Sequence, residues 1–258
     1  MKRTTLFILA VLLALPLAAK PHKVTKLGQP DEMPHHAPVQ KVLPVSRAIE
    51  VASAHDGHVN QKTKEGIDVS HYQGAIDWKK VAADNVSYAY VKATEGESYV
   101  DDTYAYNIRE ARKNGISVGA YHFYRTNVSV DKQFANMTAV VKKEDCDLVP
   151  MIDVETRGKV SLEQFVNDLH EFVKRVEKYY GRKPILYSYQ NFYNKFLSGE
   201  FKNYPWMIAK YDAELPLLDN GPDFVAWQYS SSSYVNGIKS HCDRSRLVGR
   251  HTLKELKL

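Results

Sequence analysis

"DLVPMIDVETRGKVSLEQFVNDLHEFVKRVEKYYGRKPILYSY" (residues 147–189) changes period twice. Its first nine residues, 147–155, form an apolar run of strand length. From residue 162 onward the apolar positions recur every three or four residues: Leu162, Phe165, Val166, Leu169, Phe172, Val173 and Val176. That spacing draws one apolar stripe along a helix. Ser161 with Gln164 fits a capping box at its start, and Gly181 fits its stop. "KPILYSY" (183–189) then returns to strand chemistry. A strand, a helix and a strand joined by short connections make a unit that lays its strands parallel.

The same rhythm extends outward. Toward the N-terminus, "GIDVS" (66–70) precedes "DWKKVAAD", "VSYAYVKAT" (86–94) precedes "DTYAYNIREARKNG", and "ISVGAYHFY" (116–124) precedes "VDKQFANMTAVVKK". Toward the C-terminus, "KPILYSY" precedes "NFYNKFL", and there the rhythm breaks. "YPWMIAKY" (204–211), "DFVAWQYS" (223–230) and "VNGIKSHCD" (235–243) read as strands with no helix of useful length between them. Five βα units plus three strands predict an α/β fold: a modified TIM-like barrel, (β/α)5(β)3. No G-x-G-x-x-G follows the first strand, so a dinucleotide-binding sheet has no support.

The 258 residues carry a net charge of +5, and all of it lies before residue 65. Residues 65–258 hold 26 basic and 26 acidic side chains. A nucleic-acid binder would show a basic excess in its folded part, and this chain does not. The start, "MKRTTLFILAVLLALPLAAK", has a basic pair followed by an apolar run from Leu6 to Ala18, the pattern of a secretory leader over residues 1–19. The expected location is therefore exported. Residues 20–64 hold five of the eleven prolines and five of the ten histidines and read as a linker or tail. The barrel is expected over 65–258. Cys146 and Cys242 are the only cysteines; the spacing leaves open whether they pair or stay as buried thiols.

In barrels of this kind, chemistry gathers at the C-terminal ends of the strands. Asp68, Glu95, the Asp153/Glu155 pair and Asp212 all map there. Alternation along a strand points Asp153 and Glu155 to one face. Seventeen tyrosines, nine phenylalanines and three tryptophans supply a rim of rings, including Tyr121, Tyr187 and Trp227. Acids ringed by aromatics suit glycoside cleavage: one carboxyl protonates the leaving oxygen, a second anion stabilises the sugar cation, and rings stack on sugar faces.

The motifs "GIDVSHYQGAIDW", "YVKATEG", "GAYHFYR", "PMIDVE", "ILYSYQNFY", "PWMIAKY" and "AWQYS", in this order, resemble those of the glycoside hydrolase family 25 lysozymes, the Chalaropsis-type N-acetylmuramidases. The resemblance spans about residues 65–245. It implies cleavage of the β-1,4 bond between N-acetylmuramic acid and N-acetylglucosamine in peptidoglycan by a monomer, with no metal and no organic cofactor. It implies Glu155 as general acid, Asp153 as its anionic partner and Asp68 as a third acid. Tyr121, Tyr187, Trp227, Asp212 and Glu95 are expected at the substrate. Net retention by a substrate-assisted route is the expected stereochemistry. The alternatives are a barrel that binds wall glycan without cutting it and a glycosidase on another 2-acetamido polysaccharide. The closing stretch "HCDRSRLVGRHTLKELKL" matches no family motif, which leaves Asp243 without a role.

Overall fold

Nine strands and five α-helices, with three short 3₁₀ turns, follow one another in the computed structural model, which describes residues 65–221 and 223–258. The leader over 1–19 and the stretch 20–64 fall outside the described residues. The strands are β1 (Glu65–Val69), β2 (Tyr88–Glu95), β3 (Tyr99–Val100), β4 (Ser117–Phe123), β5 (Met151–Asp153), β6 (Ile185–Tyr189), β7 (Trp206–Ala209), β8 (Ala226–Ser233) and β9 (Cys242–Leu247). The helices are α1 (Trp78–Ala83), α2 (Tyr104–Lys113), α3 (Val130–Val140), α4 (Leu162–Tyr180) and α5 (Gln190–Phe192, continued by a π turn over Tyr193–Leu197).

Neighbouring strands run β1-β9-β8-β7-β6-β5-β4-β2, and β1 pairs again with β2, so eight strands close into a barrel. The short β3 folds back antiparallel onto the end of β2 as a flap. All barrel pairings are parallel except those of β9, which runs antiparallel to both β8 and β1. Five βα units followed by three strands are therefore present. The last strand differs from its sequence expectation: it covers Cys242–Leu247 rather than 235–243. A turn at Asn236 and Gly237 interrupts the earlier run, and Gly237 there has φ 99°.

Alternation sorts the barrel residues into two cores. Ile67, Val69, Ala89, Val91, Val118, Ala120, Ile152, Leu186 and Ile208 face outward, where the helices cover them. The stripe on α4 supplies Phe165, Leu169, Phe172, Val173 and Val176, all fully buried. Each contributes on the order of 1.5–3 kcal/mol by leaving water. Ser161 caps α4 by accepting from the Gln164 N–H, and Gly181 ends it in the left-handed region, as the sequence predicted. Inside the barrel lie Tyr88, Tyr90, Met151, Ile185, Tyr187, Met207, Ala226 and Leu247. Cys146 and Cys242 are separate, buried, free thiols, which settles the open pairing.

The inner core is filled by rings that lie across neighbouring strands. Tyr88 donates to Ser245 Oγ (3.0 Å) on β9, and Tyr90 donates to the Val149 carbonyl (3.2 Å). Each ring occupies the space of a side chain missing from the adjacent strand. A Cβ at Gly66 would sit 2.1 Å from the Tyr88 ring, and one at Gly119 would sit 2.4 Å from the Tyr90 ring. Gly66→Ala is therefore expected to destabilise the fold by at least about 1–3 kcal/mol, read as a fall in thermal midpoint. The double variant Gly66→Ala/Tyr88→Leu should recover part of that loss, because the obstructing ring is gone.

Candidate active site

Three strands bring four carboxylates to the barrel mouth. On β1, Ile67 and Val69 take the outward positions, so Asp68 points inward and is 7% exposed. On β5 the same alternation turns Asp153 inward at 6% exposed. The ladder ends there, although Val154 N–H still donates to the Tyr187 carbonyl (2.9 Å). Glu155 follows on the loop two residues later, half-buried, and its titration is tied to that of Asp153. On β9, Asp243 stands in direct register opposite Asp68.

Gathering these groups raises their proton affinity. Burial is the leading cause in each case. It lifts Asp68 from 3.8 to about 7, with Asp243 adding repulsion and a Gln228 hydrogen bond opposing the rise. It lifts Asp153 well above the carboxylate range, helped by Glu155. Glu155 rises to about 7 through burial and then the charge of Asp243, and Asp243 rises to about 6 through burial. Asp153 and Glu155 titrate as a unit, so near neutrality the pair holds a proton between them.

A polar floor lies under the acids. Gln228 Nε2 donates to Asp68 Oδ2 (3.0 Å), while its Oε1 accepts from Tyr187 (2.8 Å) and from Tyr211 (2.9 Å). The two phenols fix the amide orientation, so the amide N–H₂ must face Asp68. Asp68 Oδ1 and Asp153 Oδ1 are buried with no protein partner. Unsatisfied buried acceptors are costly unless a ligand completes them. Two such atoms in one mouth are open positions for donors on a substrate.

The structure brings together Asp68, Asp153, Glu155, Tyr121 and Tyr187. Trp227 and Asp212 stand apart from them, and Glu95 stands at the edge of the cluster. Trp227 lies on the outer face of β8, the side opposite Gln228, and its indole donates to the Lys210 carbonyl (2.9 Å). Asp212 is exposed on the rim and pairs with Lys210 at 3.6 Å. Glu95 is engaged by two cations: Lys92 Nζ at 2.6 Å and Arg125 Nη2 at 2.6 Å. Gln228 and Asp243 are the residues that sequence reasoning missed. Alternation from Ala226, which faces the inner core, already implies that residue 228 points inward and 227 outward. Asp243 was hidden by the misplaced last strand. Tyr211, 45% exposed and edge-on to Tyr189 at 6.0 Å, extends the mouth into an aromatic wall.

A paired acid that holds a proton, two further buried carboxylates, unfilled acceptors and an aromatic wall can together protonate a leaving oxygen and stabilise a cationic sugar. Comparison with known proteins agrees with this chemistry. The model of Glycosyl hydrolases family 25 matches residues 67–238. YegX of Escherichia coli is 38% identical over 200 residues, covering 76% of this chain and 72% of that protein. Lysozyme M1 of Streptomyces globisporus is 30% identical over 202 residues, covering 72% and 68%. The structure of a family 25 glycosyl hydrolase from Bacillus anthracis superimposes with a TM-score of 0.69 at 28% identity, covering 78% of this chain and 96% of that one.

The buried acids make a stability prediction with a defined sign. Asp68 binds its proton more tightly folded than unfolded, so its contribution to stability is fully present below pH 3.8 and is lost as pH rises to about 7. Asp68→Asn removes that loss. Its stability relative to wild type should grow across this window, by about 4 kcal/mol at most, measured as thermal midpoints at acid and alkaline pH. An equal difference at both ends would contradict burial of a titrating carboxyl at this position.

Proposed function

The chain belongs to glycosyl hydrolases family 25, and on that premise we propose that it is a muramidase, cleaving the β-1,4 bond between N-acetylmuramic acid and N-acetylglucosamine in peptidoglycan. The observation that carries this reading is the Asp153–Glu155 pair, both carboxyls raised in proton affinity, at the mouth of a closed barrel. Exposure separates their jobs. Glu155 is the half-exposed member and reaches the glycosidic oxygen; Asp153 lies beneath it.

The placement of the two carboxyls also bears on stereochemistry. Retaining enzymes that use a carboxylate nucleophile hold their pair about 5–5.5 Å apart, across the scissile bond. Asp153 and Glu155 come from one strand end, two residues apart, rather than from facing strands, which supports the substrate's own 2-acetamido oxygen as the nucleophile. In that route Glu155 delivers its proton to the leaving oxygen as the C1–O bond breaks. The acetamido carbonyl oxygen closes on C1 to give an oxazolinium ion. The unpartnered Asp153 Oδ1 accepts the acetamido N–H and stabilises the charge. Water then attacks C1, Glu155 takes its proton, and the ring reopens with net retention. The leader-like residues 1–19 support export of the chain to where the wall lies.

Glu155→Gln should fold normally and lose at least about three orders of magnitude in turnover, read as failure to clear a peptidoglycan suspension. Near-normal clearing would overturn the assignment. Mass spectrometry of the digest should show muramic acid at the new reducing end; glucosamine there, or faster cleavage of chitin oligomers, would redirect the substrate. NMR of the first-formed anomer should report retention, and an inverted product would exclude the route above.

A further inference from the structure

Lys92 and Glu95 lie three residues apart on β2. In a regular strand an odd spacing sends two side chains to opposite faces. Here they meet, Lys92 Nζ donating to Glu95 Oε2 at 2.6 Å. The cause is a register shift between Lys92 and Thr94. Lys92 opposes Tyr121 on β4, yet Thr94 opposes His122 and Glu95 opposes Phe123. Ala93 is the extra residue of a β-bulge, and the faces invert after it.

The bulge is held from the helix side. Gln133 accepts from the Arg125 N–H at Oε1 (2.8 Å) and donates from Nε2 to the Arg125 carbonyl (2.7 Å), which fixes its amide. His122 Nε2 therefore donates to Gln133 Oε1 (3.3 Å), leaving Nδ1 to accept from Thr94 Oγ1 (2.8 Å). Burial pushes His122 down to about 4, so this link is neutral. The same Gln133 seats Arg125, whose guanidinium crosses the Phe123 ring at 4.5 Å and returns to Glu95 Oε1 from Nε (3.0 Å) and Nη2 (2.6 Å). Thr94 and Glu95, adjacent in the chain, are thus tied into one loop of contacts through both faces of the barrel wall.

Within that loop two cations share one carboxylate, and the loop adjoins the acids: Phe123, whose ring meets both Lys92 and Arg125, stands in register with Glu95 on one side and Asp153 on the other. We propose that the bulge at Ala93 seats a Lys92–Glu95–Arg125 chain of net single positive charge, which is the counter-charge that lets the Asp153–Glu155 pair carry an anion, with Glu95 and Arg125 as positioning residues for Lys92. Lys92 is buried, with its ammonium 5.3 Å from the rings of both Tyr99 and Phe123, so its charge is poorly screened by water. The titratable groups facing the pair are Asp68 from β1, Lys92 and Glu95 from β2, Tyr121 from β4, Arg125 beyond β4, Tyr187 and Tyr189 from β6, Tyr211 beyond β7 and Asp243 from β9. Tyr99 on β3 faces Lys92. Burial holds all five tyrosines above their ordinary value, leaving them neutral. Lys92 lowers the proton affinity of both members of the pair, Arg125 lowers that of Glu155, and Glu95 raises that of Asp153.

This inference rests on the muramidase reading for its consequence but not for its test. The carboxyl carbons of Asp153 and Glu155 are titrated by NMR in labelled full-length protein, wild type and variants. Lys92→Met removes a positive charge and should move the pair's titration upward by about half a pH unit or more. Glu95→Gln removes a negative charge and should move it downward. Lys92→Arg should leave it near wild type. A purely structural role predicts no such opposition of sign. If Lys92→Met fails to fold, Glu95→Gln decides alone: a downward shift supports the proposal, and no shift or an upward one overturns it. Shifts of the same direction in both variants overturn it too. Peptidoglycan clearing by wild type is measured in parallel. Clearing without the shifts sinks the counter-charge alone; the shifts without clearing sink the muramidase reading alone.

Discussion

Removal of four neighbouring carboxylates from water, with repulsion among them added, is the constraint on which the rest of this structure depends. Four acids in one mouth cannot all ionise at neutral pH, and the fold lets the resulting proton retention serve the chemistry. The strand walls remove the acids from water, the Asp153–Glu155 pairing makes one proton common property, and Gln228 holds Asp68 by a single oriented donor. Cations enter only from β2 and the loop after β4, at the edge of the cluster rather than inside it. Neutralising the acids directly with arginines would have produced a stable salt-bridge network and no proton to give.

The reversed strand β9 solves two problems with one element. Seven parallel strands leave a gap between β8 and β1, and an antiparallel strand fills it with ladder bonds on both edges. No helical crossover is then required, which is why the βα rhythm ends where it does. The same strand places Asp243 opposite Asp68, so closing the barrel and completing the acid cluster are a single event. The outer face of this sector carries Glu65 between Arg244 and Arg246, with Tyr229 donating to the same carboxylate. Paired charges there tolerate water that an apolar face would not.

Much of this was legible in the sequence. The α4 stripe from Phe165 onward, the Ser161 cap and the glycine stop are local, and local rules read them correctly; Leu162, in the first turn, is 48% exposed and stands outside the stripe. The D-x-E pair was found because strand alternation and barrel polarity both act on short stretches. Three features escaped for stated physical reasons. The turn at 236–237 shifted the last strand, so Asp243 could not be aligned with Asp68. The AWQYS motif points to Trp227 as a rim ring, whereas its neighbour Gln228 occupies the inward position. The bulge at Ala93 inverts the faces of β2, and no period-two reading places Lys92 and Glu95 together. A register irregularity is a property of two paired strands, and one strand's sequence does not contain it.

Cys146 and Cys242 remain as separate buried thiols, and their separation has a thermodynamic meaning. No cross-link restricts the unfolded ensemble of the barrel, so its stability comes from packing, hydrogen bonds and closure of the sheet. The barrel needs no oxidase to mature and loses nothing in a reducing solution. In either redox condition the side chains alone direct closure of this barrel.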